Sequence, residues 1–320
     1  MSAIPPGPPA LPPYAKPWLS YHDQVTLLQK RGLVVADVQA ATDFLRHVNY
    51  YRFSGYCLAF ESKRHTFNPD VTFEQVRTAY QFDTTLRDIV TEALEVVEVD
   101  LRTAIAHHFS RQYGPFEHTN ALNFYGKFGH HTVAPDLWWK FGHADWLSRL
   151  RKDADESKED FVLHFKSYRE FPDLPVWVVT EIMSFGLLSH MLSGMFRDDQ
   201  KAVAHSYGLQ PSDLTSWIHH LVYVRNLCAH HSRLWDRIWS IKPQLPRWVA
   251  WQPPQTPGNN RLFATLLILD FLMGRCPAIA AFAADWRSRT KALLTQPPTV
   301  ANAADLMGLP ANWNTHPLWK

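Results

Sequence analysis

The chain has little of what secreted and membrane proteins depend on. Its 320 residues include 3 cysteines, Cys57, Cys228 and Cys276, which lie far apart without a C-x-x-C pair and support neither a disulfide framework nor a thiolate zinc site. No Lys or Arg precedes Lys16 and no apolar core follows the N-terminus, so we expect no signal peptide. The longest apolar stretch, 262–273, is shorter than the ~20 residues that span a bilayer. These absences predict a cytoplasmic protein that makes no contact with a membrane.

The chain also lacks an excess of charge of one sign. Its 32 Lys and Arg nearly balance 30 Asp and Glu, a net charge of +2, which excludes a protein that coats nucleic acid by charge alone. Any nucleic-acid contact must therefore be a local patch. Hydrophobic residues make up 46% of the chain and include 13 Trp, 19 Phe and 11 Tyr, enough for a large globular core.

Proline indicates how the chain is organised. Prolines cluster in residues 1–17 and again from Pro243 to Pro257, where we expect extended backbone. Elsewhere the periodicity is helical, with no internal repeat and no hairpin signal. We predict an all-α protein with four parts, namely a Pro-rich extended N-terminus at 1–17, a helical domain at 18–242, a Pro-rich linker at 243–260, and a C-terminal helical extension at 261–320 packed on the core.

Capping residues and prolines predict where the helices begin. Ser20 and Asp37 are N-caps of two short helices, and Thr72 with Gln75 forms a capping box before an amphipathic helix of roughly ten turns that Gly114 stops. The other predicted helices, opened by prolines or rich in apolar residues, cover residues 175–196, 211–235, 261–275 and 278–294.

Histidine is unusually frequent, with 17 residues that include four adjacent pairs, at 107–108, 130–131, 219–220 and 230–231. Adjacent side chains on a helix point about 100° apart, so one pair rarely offers two ligands to one metal. No pair follows the H-E-x-x-H pattern, and no carboxylate accompanies these histidines at ligand spacing. We predict no metal site and no cofactor, and a metal-dependent hydrolase is the weakest alternative.

The segment YVRNLCAHHSRLW at 223–235 carries a candidate site. Asn226 and His230 are four residues apart on one helix face, and the long side chain of Arg225 can reach the same groove. His230 can act as base or acid near neutral pH, Arg225 is a fixed cation for phosphate oxygens, and Asn226 can orient the imidazole or a phosphate. This set suits RNA, whose 2′-hydroxyl is a built-in nucleophile, and the scheme requires no metal.

Other residues have competing interpretations. Arg102 and His107 repeat the same spacing, but chance predicts about one such pair in a chain of this composition, and Glu98 with Arg102 is typical of a helix-surface ion pair. The aromatic residues at 50–56 suit a core better than RNA stacking. Arg52, among them, binds phosphate or pairs with a carboxylate.

Five blocks, in order along the chain, carry a family resemblance: VNYYRFSGYCLAF at 48–60, VEVDLRTAIAHHFSRQYGPF at 97–116, LPVWVVTEIMSFGLLSHML at 174–192, VRNLCAHHSRLWDR at 224–237 and MGLPANWNTHPLW at 307–319. Together they resemble the abortive-infection (Abi, AbiD/AbiF-like) proteins of bacterial phage defence. That family is similar to the HEPN superfamily of all-α proteins, many of which are metal-independent endoribonucleases with an Arg, four to six residues, His motif.

The resemblance implies roles for residues of the segment 224–237, and further candidates come from the sequence alone. Arg225 and His230 match the motif, Asn226 matches the polar residue after the arginine, and His231 fits the longer spacing. Glu98 and Arg102 are candidates for supporting roles. The candidate RNA-binding arginines are Arg52, Arg233 and Arg237.

The resemblance also implies a fold, an activity and partners. It predicts a HEPN-like helical bundle with additional N- and C-terminal helices, a site assembled between two copies of the chain, and cleavage that leaves 2′,3′-cyclic phosphate ends. The expected function is an endoribonuclease toxin or abortive-infection effector, with RNA as substrate and a small noncoding RNA or an antitoxin as a further partner. The alternative is a catalytically inactive RNA-binding or sensor protein of the same fold.

Overall fold

The computed structural model describes residues 14–129, 142–256 and 258–319 of the chain. It divides into two compact units, Met1–Thr78 and Ala79–Lys320. Helices dominate both units and the described residues contain one small sheet, which confirms the all-α class. Most of the predicted Pro-rich N-terminus, and His130 with His131, lie outside the described residues. The predicted domain boundaries stay predictions.

The N-terminal unit consists of three helices and a hairpin: α1 Tyr21–Lys30, α2 Val38–His47, α3 Tyr50–Cys57, β1 Glu61–Lys63 and β2 Thr66–Phe67. Both predicted N-caps are confirmed. The Ser20 hydroxyl accepts a hydrogen bond from the Asp23 amide at 3.1 Å, and the Asp37 carboxylate accepts one from Ala40 at 2.8 Å. The rings of Phe44, Phe53 and Phe73 meet in the core with centroids 4.8–5.6 Å apart.

The structure contains this hairpin although the sequence shows no convincing signal for one. The two strands pair antiparallel through only a few residues, so neither is long enough to display the alternation that marks a strand in sequence. His65 turns the chain with a left-handed φ of 67°, and its amide donates to Glu61 Oε2 at 3.0 Å.

A single helix of 41 residues, α4 Phe73–Tyr113, begins in the N-terminal unit and continues into the second. The predicted capping box is present, with the Thr72 amide donating to Gln75 Oε1 at 2.8 Å and the Gln75 amide to Thr72 Oγ1 at 3.2 Å. The helix ends at Tyr113, directly before the predicted stop at Gly114, whose φ of 110° is available to glycine at low cost.

The second unit packs a series of shorter helices with the long α4, and their bounds are α5 Gly126–Gly129, α6 His143–Glu156, α7 Asp160–Phe165, α8 Val176–Ile182, α9 Phe185–Gly194, α10 Arg197–Ser206, α11 Pro211–Ala229, α12 Leu262–Met273, α13 Ala280–Leu294 and α14 Ala303–Met307. Two contacts define the direction of α11. Tyr207, before it, donates to Asp100 on α4 at 2.6 Å, and Leu234, after it, bonds Asp83 at 3.0 Å. α11 therefore runs antiparallel to α4.

The helix predicted at 175–196 is two helices, because Met183 is extended between α8 and α9. Ser184 starts the new helix by accepting a hydrogen bond from the Leu187 amide at 3.3 Å. A serine hydroxyl can cap a helix or face solvent within one, and the sequence does not distinguish these cases.

The C-terminal segments pack against α4 and α11. The Pro-rich residues 243–256 have no regular structure apart from a short 3₁₀ turn, and Trp217 of α11 donates to the Gln244 carbonyl at 2.6 Å. Trp286 of α13 donates to the Ile89 carbonyl at 2.8 Å. Among the described helices, none is by itself long and apolar enough to cross a membrane, and only the pair formed by 262–273 and 277–294, bent by 109°, meets that test together.

Candidate functional site

The candidate site lies at the C-terminal end of α11. Pro211 occupies the first turn, where its missing amide costs nothing, as predicted. Leu214, Trp217, Leu221 and Val224 are buried at helical spacing, so one face of α11 packs into the unit, where it contacts α9 and α10. The opposite face brings polar residues to the surface near the helix end.

The end of α11 differs from the predicted helix through Trp235. The helix stops at Ala229, because His231 adopts a left-handed φ of 52°. The His231 amide donates to the Cys228 carbonyl at 2.9 Å and the Ser232 amide to the Leu227 carbonyl at 2.8 Å, the hydrogen-bond pair of a Schellman motif. A non-glycine residue at this position is uncommon, so no glycine marks the end of the helix in the sequence.

The three predicted catalytic residues share this exposed helix end. Arg225 is half-buried and donates through Nη1 to Asn226 Oδ1 at 3.3 Å. Asn226 and His230 are exposed, and the His230 amide donates to the Asn226 carbonyl at 3.0 Å. The arrangement presents a guanidinium, an amide and an imidazole to solvent from two successive turns. It can therefore bind an anion and exchange a proton beside it.

A buried ion pair on α4 holds the chain that follows. Asp83 and Arg87, one helical turn apart, are both buried, with Arg87 Nη1 at 2.5 Å from Asp83 Oδ2. The other carboxylate oxygen, Oδ1, accepts hydrogen bonds from the backbone amides of Leu234 at 3.0 Å and Trp235 at 2.9 Å. The turn after His230 is thereby fastened to α4 by a charged acceptor.

Sequence reasoning missed Asp83 and Arg87. A signal was present in the sequence. Each of the two comes one position after an apolar residue of the buried face of α4, Phe82 or Leu86, where charged side chains are uncommon. Charged residues on the buried face of a helix usually have a distant partner. Here that partner is backbone some 150 residues later in the chain.

Cys228 packs the helix end and offers no nucleophile. Its side chain is buried, and burial raises the pKa of the thiol to about 11, a shift that a hydrogen bond with Thr91 only partly opposes. A thiol with this pKa stays protonated near neutral pH. Cys228 therefore adds no thiolate to the predicted set of Arg225, Asn226 and His230.

The arginines predicted to bind RNA near this site take part in the loop after α11. Arg233 Nε lies 2.6 Å from Asp236 Oδ1, and Arg237 Nε donates to the Arg233 carbonyl at 2.7 Å. His231, predicted to support the site, is exposed and supplies the left-handed turn. Arg52 is exposed on α3, within the N-terminal unit.

Glu98 and Arg102 form a second ion pair farther along α4. Arg102 donates both to Glu98 and to the Thr180 carbonyl of α8, with 11% and 16% of the arginine and glutamate side chains exposed. Arg102 follows Thr91, the residue that bonds Cys228, by eleven positions, which is about 16 Å along the helix. The structure therefore places this pair in a helix contact away from Arg225, Asn226 and His230, hereafter the Arg225 set. His107 is exposed.

Three buried histidines, His118, His143 and His220, are held by hydrogen bonds within the core. His220 lies between the Ile241 carbonyl at 2.7 Å and Thr265 Oγ1 at 2.9 Å, and His143 Nε2 is 2.8 Å from the His118 carbonyl. Burial lowers the pKa of His118 and of His220 to about 4. Across the described residues, no group of three or more His, Cys, Asp or Glu side chains could hold a metal ion.

Comparison with known proteins gives one result. The model of the Abi-like protein family matches residues 43–236, more than half of the 320 residues, and the match includes α3, α4, α11 and the Arg225–His230 segment. No curated protein matches the chain, and no solved structure does. By the extent of the match, the chain belongs to the Abi-like protein family.

Proposed function

We propose that the protein is a metal-independent endoribonuclease of the HEPN type, acting in the cytoplasm as an effector of abortive infection. Abi-like proteins take their name from abortive infection, a form of phage defence, and membership of the family suggests that role. The observation that carries the proposal is the group of Arg225, Asn226 and His230 at the surface end of α11, where Asn226 and His230 are exposed and Arg225 is half-buried. Exposure matters because a phosphodiester of RNA must reach all three groups.

In the proposed reaction the RNA supplies the nucleophile. His230 removes the proton of a 2′-hydroxyl, whose oxygen attacks the adjacent phosphorus as the bond from phosphorus to the 5′-oxygen breaks. Arg225 offsets the charge that accumulates on the phosphate oxygens. Because Asn226 Oδ1 accepts from Arg225, its Nδ2 protons remain to donate to a phosphate oxygen. The products are a 2′,3′-cyclic phosphate and a free 5′-hydroxyl.

The departing 5′-oxygen needs a proton, and one imidazole cannot serve as base and acid in the same step. A second copy of the chain with its own α11 across a two-fold axis supplies the acid, namely the partner's His230. The exposed end of α11 is available for such an approach. The proposed active form is therefore a homodimer with RNA as substrate.

Metal chelation tests the proposal. The purified protein is expected to cleave single-stranded RNA in excess EDTA and to leave 2′,3′-cyclic phosphate ends. Cleavage needs no metal because His230 is the base and Arg225 binds the phosphate. A His230→Ala preparation purified in parallel controls for contaminating ribonuclease. Loss of cleavage on chelation, restored by zinc or manganese, contradicts the proposal and supports a metal-dependent hydrolase.

A further inference from the structure

The N-terminal unit contains a cleft of about 930 Å³. Its walls come from the segment 14–19, from α1, from the last turn of α2, from α3 with the residue before it, and from the hairpin. All lining residues lie between positions 14 and 65, so the cleft belongs to this unit alone. The Arg225 set makes no use of it.

Aromatic side chains stand open to solvent along the cleft. Trp18 is 86% exposed, Tyr14 76% and Tyr51 67%, whereas Phe53 and Tyr56 of the same aromatic segment are almost fully buried. Packing in the core accounts for Phe53 and Tyr56, as the sequence indicates. It does not account for the three exposed rings. Exposed aromatic rings gathered at one cleft mark an interaction site.

The aromatic platform is held in place by its own contacts. Arg31 Nη1 donates to the Tyr50 hydroxyl at 2.7 Å, and the rings of Tyr50 and Tyr51 meet edge to face with centroids 5.9 Å apart. The hydroxyls of Tyr51 and Tyr14 are 3.3 Å apart. Little side-chain freedom is therefore lost when a ligand stacks on Tyr51.

The charge of the cleft is positive. Four Lys and Arg residues line it, against the single carboxylate of Glu61, which bonds the His65 amide. The pKa of His65 is lowered most by the nearby guanidinium of Arg31, and Arg64 and Lys16 lower it further. Within the described residues, neither Arg64 nor Lys16 has a carboxylate partner at ion-pair distance. Both remain available to an anion.

Open aromatic rings beside unpaired cations suit a polymer with flat bases and a phosphate backbone. Bases stack on the rings, and phosphates meet the cations. A duplex hides its base faces, so it cannot use the rings. An apolar peptide could use the rings but gains nothing from several cations.

We propose that this cleft binds single-stranded RNA, with Trp18 and Tyr51 stacking on bases and Lys16 and Arg64 contacting phosphates. The choice of RNA over single-stranded DNA rests on the proposed nuclease function, because stacking and phosphate contact serve both polymers. The cleft thus gives the protein a place to hold RNA that is separate in sequence from the Arg225 set.

Binding of a fluorescent single-stranded RNA, about ten nucleotides long, tests the proposal by anisotropy. Every variant also carries His230→Ala, so the RNA stays intact whether or not the wild type is a nuclease. Trp18→Ala and Tyr51→Ala are each expected to weaken binding by about 5-fold or more, the loss of one stacked base. Matched controls are Trp177→Ala and Tyr168→Ala, which remove half-exposed rings of the second unit and should leave the Kd unchanged.

The cation contacts have their own signature. Arg64→Ala is expected to flatten the slope of log Kd against log salt by about 0.7, the value for one phosphate contact on a single strand. Duplex RNA of the same sequence should bind more weakly than the single strand. The salt slope and the strand preference distinguish phosphate contact with stacking from simple charge attraction.

Several outcomes overturn the proposal. Unchanged RNA affinity in Trp18→Ala and Tyr51→Ala does so, and so does equal affinity for the duplex. Tighter binding of single-stranded DNA than of RNA rejects RNA as the ligand of the cleft. In the single variant Trp18→Ala, made without His230→Ala for the protection assay, loss of phage protection with RNA affinity intact assigns the cleft to a protein partner instead. If the wild type does not cleave RNA but the cleft variants lose RNA binding, the nuclease proposal is wrong. The proposal that the cleft binds RNA then still holds.

Discussion

His230 and His231 are adjacent in sequence and do different things at the end of α11. Helical side chains lean toward the N-terminus, so in a longer helix residue 234 would cover His230. The left-handed backbone of His231 ends the helix first, and Leu234 instead turns toward Asp83. His230 is therefore left exposed because of the conformation of its neighbour.

Replacing His230 by Ala separates a nuclease from an RNA-binding protein. The substitution removes the proton-exchanging group, so RNA cleavage should fall by about 10² to 10⁴-fold, and growth arrest on expression should be lost. RNA affinity should largely remain. A His205→Ala variant, which removes an exposed histidine of α10, is the matched control and should keep full activity.

Arg225→Ala completes that comparison, because it removes a fixed cation. It should weaken cleavage and RNA affinity together, with a shallower salt dependence of binding. If His230→Ala arrests growth and protects against phage as fully as the wild type, the nuclease proposal is wrong and the inactive RNA-binding protein replaces it.

The left-handed backbone at His231 carries a stability cost that glycine avoids. His231→Gly should be more stable than His231→Ala by about 1 kcal/mol in free energy of unfolding, because both lose the imidazole and only alanine pays for the positive φ. Urea denaturation monitored by circular dichroism measures the difference. Equal stability of the two variants would contradict the left-handed turn.

At the scale of elements, α4 and the end of α11 depend on one carboxylate. Asp83→Ala leaves Arg87 buried without its counter-ion and two backbone amides without an acceptor, so the free energy of unfolding should fall by about 3–5 kcal/mol. RNA cleavage should fall with it, since the turn after His230 loses its attachment.

Two further variants control this measurement. Asp83→Asn keeps an oxygen acceptor for the amides and should lose less stability than Asp83→Ala. Glu156→Ala removes the partner of Lys152 in an exposed ion pair, 3.7 Å apart, and should change stability by no more than about 0.5 kcal/mol. A fold as stable with Asp83→Ala as with Glu156→Ala would exclude the anchoring role.

At the scale of the whole molecule, the proposed chemistry requires two chains. In each chain the proposed set contains one imidazole, that of His230, which acts as either the base or the acid of the reaction. The active form is therefore expected to be a homodimer with the two α11 ends together. Native mass spectrometry and light scattering measure the mass. The His230→Ala variant should dimerise normally, because the imidazole acts on RNA. A monomer that cleaves RNA at the full rate contradicts the composite site.

Much of the fold follows from hydrogen bonds that close within a few residues. Ser20, Asp37 and Thr72 cap helices through amides three positions ahead, so their sequence neighbours suffice to predict them. Pro211 begins α11 for an equally local reason. The spacing of Asn226 and His230 likewise brings these two residues to one helix end without help from the rest of the chain.

One feature that sequence reasoning missed depends on residues far apart in the chain. Asp83 is an acceptor for the backbone after α11 only because α11 returns antiparallel to α4. Tertiary packing also decides which aromatic residues of the 50–56 segment are exposed. Tyr51 is exposed, whereas Phe53, two residues later, is buried. Local spacing therefore determined the helices and the candidate catalytic set, whereas packing between distant segments decided how the chain after α11 is held and which side chains face solvent.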